Sequence, residues 1–254
     1  MGNISAIMGY TVKQHLRHKA YFTVILFGLV LIIGSLVVSS LSTGRLRMLT
    51  DLGLSSIEFL ALITIIFTTV NLVLEEMESR TIYLMLVHPI KRWEYLLGRY
   101  AGTVVSVVLG MAVMMALHIA VLYVAGWRWQ NFYIIAWICS VGKIIVMSAI
   151  ALLFSLFSTS AVSSMSFTVL IWILGHFSEE LRFLGEKSGN FIIRAVSWAL
   201  YNITPNFSYY NYRDFFSAAL TPPAAWYGWM VIYTLSYTGV CLFLANFLFS
   251  QKEF

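Results

Sequence analysis

The chain has 254 residues, 60% of them apolar and 11% charged, with a mean hydropathy of +0.83. Soluble domains carry roughly 25% charged and about 45–50% apolar residues, so a water-soluble fold is excluded. Disorder is excluded too, because disordered chains are poor in aromatics and rich in charge. The 16% of Phe, Trp and Tyr suits a polytopic membrane protein with aromatic belts at the headgroups. The net charge of +5 comes without a basic run or an aromatic-interleaved basic patch, so nucleic acid is not an expected partner.

Residues 3–20 place Ile4, Ile7, Met8, Val12 and Leu16 at helical spacing beside Lys13, Arg17 and Lys19. That pattern predicts an amphipathic helix at the headgroup level, an elbow framing the helices that follow. A hydrocarbon core of about 30 Å takes about 20 apolar residues per helix. The first span falls near 21–42, in an apolar run too long for a signal peptide, whose apolar region is about 7–15 residues. The second falls near 52–74, with Glu58 early in it, and the third near 101–125. From Phe132 to Phe177 there are 46 residues with one charge, Lys143. As one helix they would reach about 69 Å, more than twice the core. They therefore form two passes, 132–157 and 161–177, turning at Ser158-Thr159-Ser160; the second is short enough to be re-entrant.

The outer segment 178–225 holds Phe191 to Tyr201, too short and polar to span but suited to a helix in the outer leaflet. An aromatic interfacial loop at 205–210 follows. The sixth span, near 226–249, comes after Pro222-Pro223. The fold class expected is therefore an all-α membrane protein: one transmembrane domain of six spans, the elbow helix, a charged segment at 75–100 and the outer helical segment.

Six spans put both termini on one side. Eight basic residues fall on that side and seven on the other, a balance that decides nothing alone. Lys13, Arg17 and Lys19 precede the first span, which usually dominates, so both termini are expected in the cytoplasm. Cys139 and Cys241 sit in apolar runs without metal-ligand spacing, so neither a disulfide framework nor a zinc site is expected.

Lys143 lies roughly 16 Å along the fourth span. A charge at such depth costs about 2.5–3.5 kcal/mol on insertion scales, which calls for a partner. Glu58, entering from the same side, is the available acid, and an intramembrane Glu58–Lys143 ion pair is expected. His118 and Asn71, also within spans, read as packing groups.

Residues 75–100 carry eight of the chain's 27 Lys, Arg, Asp and Glu residues, yet they join two spans. They read as two short helices, the first from about Ser79 to Val87, the second opening at Pro89, carrying Trp93, Leu96 and Leu97 and leading into the third span. Ile82, Leu84, Met85 and Leu86 are apolar with no core to enter, so they ask for a partner surface. An acid, Arg80-Thr81-Ile82, apolar residues, Pro89, the basic pair Lys91-Arg92 and Leu97-Gly98-Arg99 together resemble the permease subunits of the ABC-2 type transporter family. The six-span layout, basic leading helix and long outer loop extend the resemblance over the chain.

The resemblance implies a coupling helix at 78–88 docking into an ATPase subunit. Glu78, Arg80, Thr81, Leu84, Met85 and His88 would be contacts, with Pro89 and Arg92 fixing the bend. It also implies an assembly of two ATPases and a second permease copy, identical or related, in the bacterial plasma (inner) membrane. No Gly-x-x-x-x-Gly-Lys-Ser/Thr sequence occurs, so no cofactor is expected on this chain, and ATP and magnesium are expected on the partner. An intramembrane enzyme is disfavoured: Asp51 and Asp214 lie far apart and no His-Glu-x-x-His is present. A scaffold anchoring an ATPase without transport stays open. Membrane lipid is the remaining expected partner.

Overall fold

The computed structural model describes residues 2–41, 44–78, 91–213 and 222–251, and among them no strand occurs. Helix α1 is Gly2–Arg17, α2 Lys19–Ser40, α3 Arg45–Glu78, α4 Arg92–Val124 and α5 Phe132–Phe157. Then come α6 Ala161–His176, α7 Ser178–Lys187, α8 Phe191–Ile203, a 3-10 turn Phe207–Tyr210, and α9 Ala224–Gln251. Five of these (α2, α3, α4, α5 and α9) are long and apolar enough to cross a membrane; α6 with α7 makes a sixth, bent by 66° at the break. The architecture is that of an all-α membrane protein. Helices suit that solvent because each satisfies its own backbone hydrogen bonds where water is absent.

Charge-free runs understate helix length. α3 begins at Arg45 rather than near 52, and α4 at Arg92 rather than near 101. Arg45, Arg47, Asp51, Glu94 and Arg99 interrupt hydrophobicity without interrupting the hydrogen-bond ladder. The helix expected to lead from Pro89 into the third span is continuous with that span from Arg92, and Pro89 lies outside the described residues. The Lys91 backbone N–H donates to the Glu94 carboxylate at 3.3 Å, satisfying a donor at the helix start.

α3 and α5 form the centre, with 72% and 67% of their most apolar stretches buried, whereas α2 and α9 are 22% buried and lie at the periphery. The α3–α5 seam packs Ile65, Leu62 and Val70 against Ile144, Met147 and Ala151, with Thr69 Oγ1 3.5 Å from Ser148 Oγ. Small polar groups here let two backbones approach without leaving a polar atom in lipid.

The elbow helix is held by a row of small residues on α4: Gly98, Gly102, Ser106 and Gly110. A Cβ on Gly98 would come within 2.7 Å of Ile7 Cβ, and one on Gly102 within 2.5 Å of Thr11 Cβ and 2.9 Å of the Met8 carbonyl oxygen. Further along, the Tyr21 hydroxyl donates to the Ser106 carbonyl at 2.8 Å, in the space left by Gly110. The buried face of α1 is therefore Ile7, Thr11 and His15, while Leu16, expected on the apolar side, is 38% exposed.

The loop at 205–210, expected at the interface, instead inserts into the bundle: Phe207 is 2% and Tyr210 0% exposed. Gly175 and Gly142 make room for these two rings, and the Tyr210 hydroxyl lies 2.7 Å from Thr234 Oγ1. An aromatic ring with one satisfied hydroxyl fills such a gap better than it sits in headgroups.

Gly102→Ala is expected to lower stability by about 1–3 kcal/mol. Gly34→Ala, whose added carbon meets nothing within 4 Å, is expected to be silent. Thermal inactivation in detergent compares the two; equal midpoints would refute the close seat of α1.

Candidate functional site

The helices that flank residues 79–90 meet at a buried guanidinium. Arg99, 2% exposed, forms an ion pair with Glu76 at the end of α3, and the Tyr95 hydroxyl donates to the same carboxylate. Its other terminal nitrogen donates to Thr11 Oγ1 at 3.0 Å and Gln14 Oε1 at 2.9 Å on α1. The guanidinium also lies 5.2 Å from the Tyr10 ring centroid and 5.7 Å from that of Tyr95, within cation–π range. One side chain thus joins α1, α3 and α4. Delocalised charge and several donors suit Arg to this task better than a lysine.

Arg92 ties in a fourth helix. Its guanidinium donates to the Phe249 carbonyl at 3.2 Å and the Ser250 carbonyl at 2.9 Å, covering acceptors at the C-terminal end of α9. A cation there also meets the negative end of the helix dipole. Nearby, Asn3 Nδ2 donates to the Glu94 carboxylate at 3.1 Å, linking α1 to the first turn of α4. Of the expected coupling residues, Arg80, Thr81, Leu84, Met85, His88 and Pro89 lie outside the described residues, as does the side chain of Glu78, whose backbone ends α3.

His15 sits under this junction, 7% exposed. Burial first, then the charges of Arg99 and His18, push its pKa from the usual 6.5 down to about 4. The folded protein therefore holds a neutral ring at pH values where the unfolded chain takes up a proton. The stability due to α1 docking is complete above about pH 6.5 and falls as pH drops toward 4. Unfolding at pH 7.5 and 5 is expected to show this loss in the wild type and less of it in His15→Gln; identical slopes would contradict it.

Deeper in the bundle the structure brings Glu58 and Lys143 together. Lys143 Nζ lies 2.6 Å from Glu58 Oε1, and the Ser140 hydroxyl donates to Oε2 at 3.2 Å, so both carboxylate oxygens are engaged. The side chains are 10% and 6% exposed. The pair joins the two central helices, α3 and α5. Breaking such a buried pair leaves a bare charge in a medium of low polarity, which costs about 3–5 kcal/mol. Glu58→Gln and Lys143→Met are each expected to destabilise on that scale, and the double variant less than either alone. Additive losses in thermal unfolding would show that the pair is energetically idle.

His118, fully buried, packs on Gly53 with Nδ1 2.7 Å from the Tyr133 hydroxyl, as a packing group. Cys139 and Cys241 are free and buried, and among the described residues no group of three His, Cys, Asp or Glu side chains can hold a metal ion. The junction at Arg99 was missed by sequence reading, which counted Arg99 and Glu76 as charges of a connecting segment. The signal available was Gly98-x-x-x-Gly102 bracketing Arg99, a spacing that lets another helix approach closely.

No curated protein matches this chain. The family profile described as ABC-2 family transporter protein matches residues 11–254, which include the second half of α1, all the later helices and the segment between α3 and α4. A match over that length shows the family, and with it a multi-pass membrane subunit that partners an ABC ATPase and is not itself catalytic. The chain is a member of the ABC-2 transporter family.

Proposed function

We propose that this chain is the permease of an ABC exporter and that residues 78–88 form the coupling helix on which the ATPase acts. One observation carries the reading. Glu76, Arg92 and Arg99 gather α1, α3, α4 and α9 around the place where that segment leaves the bundle. A displacement applied there reaches four helices at once, two of them through buried charge. A connecting loop without mechanical work has no use for such a frame.

In this reading the α1 end faces the cytoplasm, with Lys13, Arg17 and Lys19 at the headgroups of the inner leaflet of a bacterial plasma membrane. Both termini are cytoplasmic, and the α7–α8 hairpin lies outside. Glu78, Arg80, Thr81, Leu84, Met85 and His88 make the ATPase contacts, while Arg92 acts by anchoring α4 to α9. ATP and magnesium bind the partner. Two ATPases and a second permease copy complete the assembly, and ATP-driven closure of the ATPases moves the joined α1, α3 and α4 together through the 78–88 segment.

Gentle solubilisation from the native host and mass spectrometry of co-purifying proteins test this. A stoichiometric P-loop ATPase is expected with the wild type, and a large loss of it with Arg80→Asp or Leu84→Asp at unchanged membrane insertion. Retention of the ATPase by both variants would move the docking surface away from 78–88.

A further inference from the structure

Helices α1 and α2 are separated by His18 alone, and three cations crowd that junction. Lys13 and Arg17 lie one turn apart on α1, on the side away from its buried face of Ile7, Thr11 and His15. Lys19 is the first residue of α2. All three side chains are exposed, and among the described residues none of them forms an ion pair or a hydrogen bond. Like charges at a spacing of four repel. The dipole of α1 answers cations in its last turn, but it decays within that turn and Lys13 lies before it.

The apolar stretch of α2 begins at Tyr21, two residues after Lys19, so Arg17 and Lys19 sit within about a turn of the hydrocarbon boundary. Below Lys19 runs a face of α2 made of Phe22, Leu26, Val30 and Ile33, all exposed. Their spacing of four, four and three keeps them in one stripe. From Phe22 to Ile33 the stripe spans roughly 16 Å, close to half of a hydrocarbon core of about 30 Å. Cations and a leaflet-deep apolar stripe thus follow one another in the order of a phospholipid, head first and then chain. A soluble acidic protein would match the charge but not the stripe, and it would have to enter the headgroup layer. A zwitterionic head brings an ammonium of its own to cations that already repel one another.

We infer that the α1–α2 junction binds an anionic phospholipid of the bilayer, its phosphate on Lys13, Arg17 and Lys19 and a chain along Phe22, Leu26, Val30 and Ile33. The bound anion draws together charges of α1 and α2. It thereby steadies α1 in the seat from which Thr11 and Gln14 reach Arg99. The site serves whichever leaflet α1 faces and involves no residue of 78–88, so it stands apart from the permease reading.

The test is native mass spectrometry of the full chain released from nanodiscs of equal dioleoylphosphatidylglycerol and dioleoylphosphatidylcholine. The wild type is expected to retain phosphatidylglycerol in excess. Lys13→Gln, Arg17→Gln and Lys19→Gln should each lower that excess by roughly threefold to fivefold, and the three together by roughly tenfold or more. The single variants keep the test readable if the triple variant fails to fold. Arg128→Gln, Lys187→Gln and Arg194→Gln together remove the same charge from exposed residues elsewhere and should leave the excess unchanged. Lys13→Arg with Lys19→Arg, which keeps the charge, should also keep the excess.

Equal retention of the two lipids by the wild type overturns the inference. So does an excess that persists in the junction variants, whether because a second copy or the ATPase covers these cations, or one that falls equally in the control variant. Junction variants that keep the lipid excess but lose the ATPase would assign the cations to a protein contact. Arg80→Asp should leave the lipid excess intact, so failure of the coupling reading is distinguishable from failure of this one.

Discussion

A guanidinium that is 2% exposed cannot keep its hydration, so its charge must be answered by the protein, and the answer given to Arg99 organises one whole end of this molecule. Glu76 supplies the counter-charge, Thr11 and Gln14 accept from it, and the Tyr10 and Tyr95 rings flank it. These groups come from three helices, and α1 is far in sequence from the other two. Each is fixed where it is because removing any one leaves buried charge or buried donors unanswered, a larger loss than a missing apolar contact. The elbow helix is thereby joined to the bundle by chemistry more specific than burial of an apolar stripe. The glycines at 98 and 102 let its backbone come close enough for Thr11 and Gln14 to reach.

The second buried pair works at another level of the same frame. Glu58 and Lys143 join α3 to α5, so α3 is held at its α1 end by Arg99 and farther along by Lys143. The most buried helix of the bundle is therefore also the one pinned by two ion pairs. Helices α2 and α6 are attached mainly by apolar contact and small residues, interactions that lipid tails can replace at little cost, whereas Arg92 ties the end of α9 to α4. That contrast sets a charge-locked α1–α3–α4–α5 group, with α9 tied to it at one end, apart from helices held mainly by apolar contact.

Much of the fold was legible in the sequence because lipid imposes a simple rule: an apolar run of sufficient length is a helix. The turn at Ser158-Thr159-Ser160 followed from arithmetic on a run too long for one pass, and α5 and α6 end and begin there. The pairing of Glu58 with Lys143 was legible because charges are so scarce within the spans that few partners exist. What hydropathy could not show were features that depend on side-chain volume. The insertion of Phe207 and Tyr210 is set by the space at Gly175 and Gly142, residues that look unremarkable within apolar helices. The Arg99 junction was hidden for the opposite reason, since charged residues near a helix end look like a solvated connection whether or not they are buried. The residues of 79–90, where the family resemblance is concentrated, lie outside the described structure, so their contacts rest on that resemblance and on the frame around them.

The claim on which this account turns is that the Glu76–Arg99 junction transmits force between the 78–88 segment and the bundle. The direct measurement is a double-mutant cycle with Glu76→Gln and Arg99→Met, reading thermal unfolding together with the amount of ATPase that co-purifies. The account predicts strong non-additivity in stability, on the order of 1–3 kcal/mol. It also predicts loss of the ATPase in both single variants, although no residue of 78–88 has been changed. Additive stabilities with wild-type ATPase retention would contradict it.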